Sequence, residues 1–294
     1  MAKGLDYVSL PANVKKWVES GWNTMKELTA SRALCHSSVT PFITLPEKPM
    51  QHDENNNSSH DLNYSSLETE FHAWRKSWLE SLIDDYGMLA RYRAANAGLR
   101  PPAPNENRVV FFGDSITEGW DLQECFPNKP YINRGICAQT TPQMLLRFRQ
   151  DVVALKPRVV VIHAGTNDVG GNTGPMLIED IEANYTSMVE IAQANSIRVI
   201  VSSLLPPPHQ ETLPSRYSLF KHPPEKILEL NRWLKDYSAS QRCDFLDYFS
   251  AMSDAEGFVR RRFSEDGLHP TQAGYVVMAQ VAQAGIEPVY RESL

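Results

Sequence analysis

Four short blocks of this sequence hold residue types that can do nucleophilic and acid–base chemistry. In the first, Gly113-Asp114-Ser115-Ile116, a serine stands three places after the apolar run RVVFF at 108–112. A hydroxyl at a strand-to-helix turn faces the helix N-terminus, where it can cap the helix or attack a substrate. The second block, Asn133-Arg134-Gly135, ends in a glycine that lets a backbone N–H approach a ligand closely. The third, His163-Ala164-Gly165-Thr166-Asn167-Asp168, sets a carboxamide donor beside a carboxylate, although such residues also cap and turn chains. The fourth, Asp266-Gly267-Leu268-His269-Pro270, spaces a carboxylate and an imidazole three residues apart. In a tight turn the Asp oxygen reaches one imidazole N–H and the other ring nitrogen points away, the orientation a general base needs.

These blocks matter only if the chain brings them together, so the elements around them decide the reading. Short β-branched or apolar runs at 108–112, 131–132, 158–163, 198–204 and 244–246 predict strands. Between and after them, 141–155, 175–193, 225–241 and 271–282 carry apolar residues at helical spacing, three with Pro in or near the first turn. Strands alternating with helices predict a parallel sheet covered on both faces, an open α/β sandwich. Ligands bind such sheets beyond the carboxyl ends of the strands. The first three blocks follow strands one, two and three, and the fourth precedes the last helix. Each block alone is commonplace, and their coincidence on one sheet edge is what predicts a site.

The 294 residues suffice for one large domain, and 42% hydrophobic with 22% charged residues is ordinary globular usage. With 29 basic against 35 acidic residues, the net charge of −6 and the lack of a basic stripe argue against nucleic acid as a partner. No stretch approaches the ~18–20 apolar residues of a membrane span. The first 18 residues lack the basic, apolar and small-residue regions of a secretory signal, which read literally means a cytoplasmic chain. Cysteines 35, 125, 137 and 243 lack metal or redox spacing, so free thiols are the default, with Cys125 and Cys137 the one pair close enough to bridge. Residues 1–66 read as a poorly structured extension, with a short helical pattern at 14–25 and a polar linker, QHDENNNSS, at 51–59. Residues 67–104 read as a helical lead-in of one long helix or two, stopped by Pro101, Pro102 and Pro104, and 105–294 as the chemical domain.

In order and spacing the four blocks resemble the SGNH hydrolases, also called GDSL esterases and lipases, over roughly residues 84–294. Asn133-Arg134-Gly135 followed by Gln139-Thr140-Thr141 is most similar to the bacterial lysophospholipase-like and acetylhydrolase-like branch. The resemblance implies a three-layer α/β/α sandwich on a parallel, flavodoxin-like five-stranded sheet. It implies Ser115 as nucleophile, His269 and Asp266 as the rest of the triad, and the N–H groups of Ser115 and Gly135 with the Asn167 amide as oxyanion hole. It implies a small-molecule ester substrate, no metal and no organic cofactor, no particular oligomeric state, and export to the periplasm or beyond. Ile136-Cys137-Ala138 stands where small polar residues and glycine are usual, and His163 where an aliphatic is usual, departures that bear on substrate fit.

Further readings surround this one. Asp114, Trp120, Arg134, Pro207 and His209 are candidates to line the substrate pocket, and the patternless segment 206–224 a candidate binding loop. Asp168 reads as a support of the third turn and His163 as a core residue. An acyltransferase would use the same acyl-enzyme, and a carbohydrate- or lipid-binding relative would keep the scaffold without turnover. An ordinary α/β-hydrolase needs G-x-S-x-G, whereas Thr117 stands two places after Ser115. A metallohydrolase on Asp114, Asp168, His163 and His269 would lack any recognised ligand spacing. The glycine motifs of dinucleotide and nucleoside triphosphate sites are absent.

Overall fold

The computed structural model describes residues 64–209 and 222–291. The helical pattern at 14–25, the linker at 51–59, Cys35 and most of segment 206–224 lie outside the described residues. The chain divides into two units, 1–84 and 85–294, so the division falls inside the expected helical lead-in. The described part of the first unit is helix α1 (Tyr64–Asp84).

The second unit opens with the short helix α2 (Arg93–Ala97) and then alternates strands with helices. Its sheet consists of β1 (Val109–Gly113), β2 (Tyr131–Gly135), β3 (Val159–His163), β4 (Arg198–Ser202) and β5 (Asp244–Leu246). The strands run parallel in the order β2-β1-β3-β4-β5, the flavodoxin-like arrangement. Every residue of β1 and β3 is buried, as expected for central strands with helices on both sides.

Alternation along β1 feeds two cores. Val109 and Phe111 join Trp120, Tyr248, Met252, Tyr275, Met278 and Ile286 on one face. Val110 and Phe112 join Met144, Phe148, Ile181, Tyr185, Met188, Leu230 and Leu234 on the other. The first face is covered by α9 (Tyr248–Met252) and α10 (Gln272–Arg291), and the second by α5 (Thr141–Asp151), α7 (Ile178–Ala194) and α8 (Pro224–Ser240). The result is the expected three-layer sandwich.

Several boundaries differ from the sequence reading, three of them informatively. Strand β2 runs through to Gly135, so the Asn-Arg-Gly block is the end of a strand rather than the turn after it. Helix α7 begins at Ile178 rather than Pro175, after the Gly171 and Gly174 turns with positive φ. Helix α10 continues past Ala282 through Pro288, because Ile286 and Val289 still face the core and a proline in the last turns removes little pairing. The helix expected after Ser115 is α3 (Ser115–Glu118), while three others, too short to show a period, went unpredicted: α4 (Leu122–Cys125), α6 (Thr166–Val169) and α9. Cys125, Cys137 and Cys243 are free thiols.

Candidate active site

In a sheet of this order the chain reverses its winding between β1 and β3, and the crevice lies beyond their carboxyl ends. Ser115 is the first residue of α3, immediately after β1, and Asn167 lies in α6, immediately after β3. The turn into α3 is fixed by Asp114, a buried N-cap whose carboxylate accepts the Ile116 N–H at 3.0 Å. The cap reading raised for this block therefore belongs to Asp114, and the Ser115 hydroxyl is left for other work.

That hydroxyl meets His269. Ser115 Oγ lies 3.0 Å from His269 Nε2, and His269 Nδ1 lies 2.8 Å from Asp266 Oδ2. The Asp266–His269 turn bends at Gly267, whose φ is +82°. Asp266 Oδ1 accepts the N–H groups of Leu268 (2.8 Å) and His269 (2.7 Å). Burial opposes ionisation of Asp266, but the hydrogen bond and charge of His269 and these two N–H groups outweigh it, holding the carboxyl well below the usual carboxylate range. The α10 helix that follows is tied to α3 by Tyr275, whose hydroxyl donates to Ile116 O at 2.9 Å.

The predicted anion-binding donors need one correction. The Gly135 N–H is already engaged, donating to Asn133 Oδ1 at 2.8 Å. Asn133 in turn donates to the carbonyls of Thr117 (2.6 Å) and Trp120 (3.0 Å), closing the end of α3 onto β2. Gly135 is a glycine because α3 passes so close: a Cβ there would sit 2.0 Å from Glu118 N. Three residues on, Ala138 is buried, takes φ +61°, and its N–H has no acceptor among the described residues. The loop's available donor is therefore Ala138. Ser115, at the first helical position, likewise has no acceptor for its N–H within α3. Asn167 is buried, with Nδ2 donating to Gln139 O at 3.0 Å and more weakly to Asp114 Oδ2 at 3.3 Å.

The other candidates occupy varied places. Trp120 is buried in an aromatic cluster with Phe111, Phe126, Tyr248 and Tyr275. Arg134 donates to Asn96 Oδ1 at 2.9 Å and covers the Tyr92 ring at 4.6 Å, bracing the sheet edge. Pro207 is buried and its carbonyl accepts the Val259 N–H. His209 pairs with Asp254 at 2.9 Å, lies tilted against the Phe258 ring, and helps line a cavity of about 280 Å³ whose wall includes Ser264, Glu265 and Gly267 of the Asp266 loop. Asp168 supports a different turn from the one expected, accepting the N–H and hydroxyl of Thr141 at the start of α5. His163 Nδ1 meets Ser202 Oγ at 2.8 Å inside the core, and burial pushes the imidazole down to about 4. Among the described residues no three His, Cys, Asp or Glu side chains gather as a metal-binding group, and no helix is long and apolar enough to cross a membrane.

Arg147 and Tyr92 escaped the sequence reading, the first although a signal existed. Arg147 and Asp151 fall on the same face of α5 as Met144 and Phe148, so a charged pair sits where apolar residues belong. Arg147 is fully buried and donates to Gly113 O (2.9 Å), Arg134 O (2.9 Å) and Gln139 Oε1 (2.5 Å), joining both strand ends to the Ala138 loop. Tyr92 places its hydroxyl on Gly135 O.

Comparison with known proteins gives consistent likenesses. Residues 111–277 match the model of the GDSL-like Lipase/Acylhydrolase family. A candidate acylhydrolase of Bacteroides fragilis, of known structure, is 42% identical, with a TM-score of 0.65 over 70% of this chain and 99% of that one. A GDSL-like lipase of Bacteroides thetaiotaomicron is 39% identical, with a TM-score of 0.63 over 71% and 100% of the two chains. The uncharacterized lipoprotein YqeF of Bacillus subtilis is 31% identical over 118 residues, and the chain spans about half (48%) of the length of this curated relative.

Proposed function

The chain belongs to the GDSL-like lipase/acylhydrolase family, whose reaction class is carboxylic ester hydrolysis, and from that premise we propose that it is a serine esterase acting through an acyl-Ser115 intermediate. Its substrates in this reading are small, acetyl-like acyl esters of carbohydrates, lysophospholipids or simple alcohols. The observation that carries the proposal is the continuous hydrogen-bonded chain Asp266–His269–Ser115, with contacts of 2.8 and 3.0 Å at the sheet's switch point.

A serine hydroxyl is a weak nucleophile at neutral pH and requires a base in contact with it. His269 Nε2 takes the proton from Ser115 Oγ as the oxygen adds to the ester carbonyl. Asp266 stays ionised through the neutral and mildly acidic range, so it fixes the tautomer with a proton on Nδ1 and stabilises the imidazolium as it forms. The tetrahedral oxyanion is received by the N–H groups of Ser115 and Ala138 and by the Asn167 Nδ2 N–H that otherwise makes only the long 3.3 Å contact with Asp114 Oδ2. Each such donor is worth roughly 10²- to 10³-fold in rate. His269 returns its proton to the leaving alkoxide, the alcohol departs, and water attacks the acyl-enzyme with His269 again as base.

The test is a hydrolysis panel from acetyl to long-chain p-nitrophenyl esters, with acetylated sugars, run on the wild type and Ser115→Ala. The proposal expects turnover strongest at the short end and reduced at least about 10³-fold in Ser115→Ala. Undiminished turnover in Ser115→Ala would remove the nucleophile, a long-chain optimum would overturn the substrate class, and preferential transfer to added alcohols would make the chain an acyltransferase.

A further inference from the structure

Asn172 lies on the turn after α6 and is almost wholly buried. Its Nδ2 donates to Asn167 Oδ1 at 2.8 Å and to Ala138 O at 3.2 Å. One amide group thus grips both of the residues read above as oxyanion donors outside the nucleophile. We propose that Asn172 is a positioning residue for the oxyanion hole, selecting the productive orientation of the Asn167 carboxamide and holding the Ala138 loop against it.

A carboxamide rotated by half a turn exchanges a donor for an acceptor, and an oxygen aimed at a developing oxyanion would repel it. Asn167 is held against that rotation at both ends. Asn172 Nδ2 is a pure donor and must face Oδ1, while Gln139 O is a pure acceptor and must face Nδ2. The backbone adds to the grip: Asn172 N donates to Asn167 O at 3.0 Å, which fixes the separation of the two side chains. The neighbouring Thr173 hydroxyl lies 3.2 Å from that of Thr140, so the turn is fastened to the Ala138 loop at a second point. Ala138 has a positive φ that its side chain disfavours, and the bond to its carbonyl helps keep the loop in that conformation.

The inference rests on the oxyanion reading, and a double-mutant cycle separates the two. Kinetic constants for a short p-nitrophenyl ester are measured for wild type, Asn172→Ala, Asn167→Ala and the double variant, with kcat taken per active site titrated by a fluorophosphonate. Asn172→Ala is expected to lower kcat by roughly 10- to 100-fold with KM within about threefold, and to add almost nothing in the Asn167→Ala background. Asn172→Asp, which puts acceptors opposite both oxygens, is expected to lose at least as much. A kcat within twofold of wild type in Asn172→Ala, or a full further loss in the double variant, overturns the proposal while a normal Asn167→Ala loss leaves the oxyanion reading standing. An unchanged kcat in Asn167→Ala overturns both. If neither Asn172 variant yields titratable enzyme, the residue's role is structural and the proposal fails.

Discussion

Asp114 combines two demands, capping α3 as an anion while lying fully buried beside Asn167. Burial dominates and pushes its carboxyl up to about 7, from near 3.8 for an ordinary aspartate, with the Ile116 N–H opposing. The folded protein therefore binds this proton more tightly than the unfolded chain. The stabilisation is fully present below about pH 4 and is lost as the pH rises towards and through 7. Asparagine keeps an oxygen for the cap and does not titrate. Asp114→Asn should thus show a smaller fall in stability between pH 5 and pH 8, by roughly 1–3 kcal/mol. Denaturant melts at the two pH values test this by their difference, and equal falls in wild type and variant would contradict it.

At the scale of elements, the site depends on α3 lying against the end of β2. Asn133 closes that junction, and Gly135 permits it by having no Cβ. Gly135→Ala would press a methyl onto the Glu118 backbone N at 2.0 Å, and backbone cannot yield as a side chain does. The variant should be destabilised by ~1–3 kcal/mol or more, with its activity falling because α3 carries Ser115. A melting temperature and kcat equal to wild type would show that the junction is looser than described. Here the sequence was misleading in an instructive way. A glycine after a strand reads as a backbone made accessible to ligand, but this one is needed for helix–strand packing. The donor that is left over, Ala138, has no sequence signal, because its availability depends on a loop conformation that only the assembled chain imposes.

At the scale of the molecule, local pattern carried far. Short apolar runs and 3.6-residue spacing in the chain located five strands and the principal helices, and winding order places Ser115 and Asn167 at one crevice. Asp266 and His269 were legible because three residues and a glycine suffice to orient an imidazole. Long-range bracing was not legible. Arg147, Tyr92 and Asn172 each also reach a partner 13 to 43 positions away, a relation that local pattern does not show. One claim underlies the rest: the Asp266–His269 pair activates a single serine, Ser115. It is tested most directly by treating the full-length protein with a fluorophosphonate and locating the adduct by peptide mass spectrometry, beside His269→Ala. Rapid, single labelling on Ser115 is expected, lost or greatly slowed in the variant. Labelling of another residue, or none in a protein whose circular dichroism is native, would contradict it.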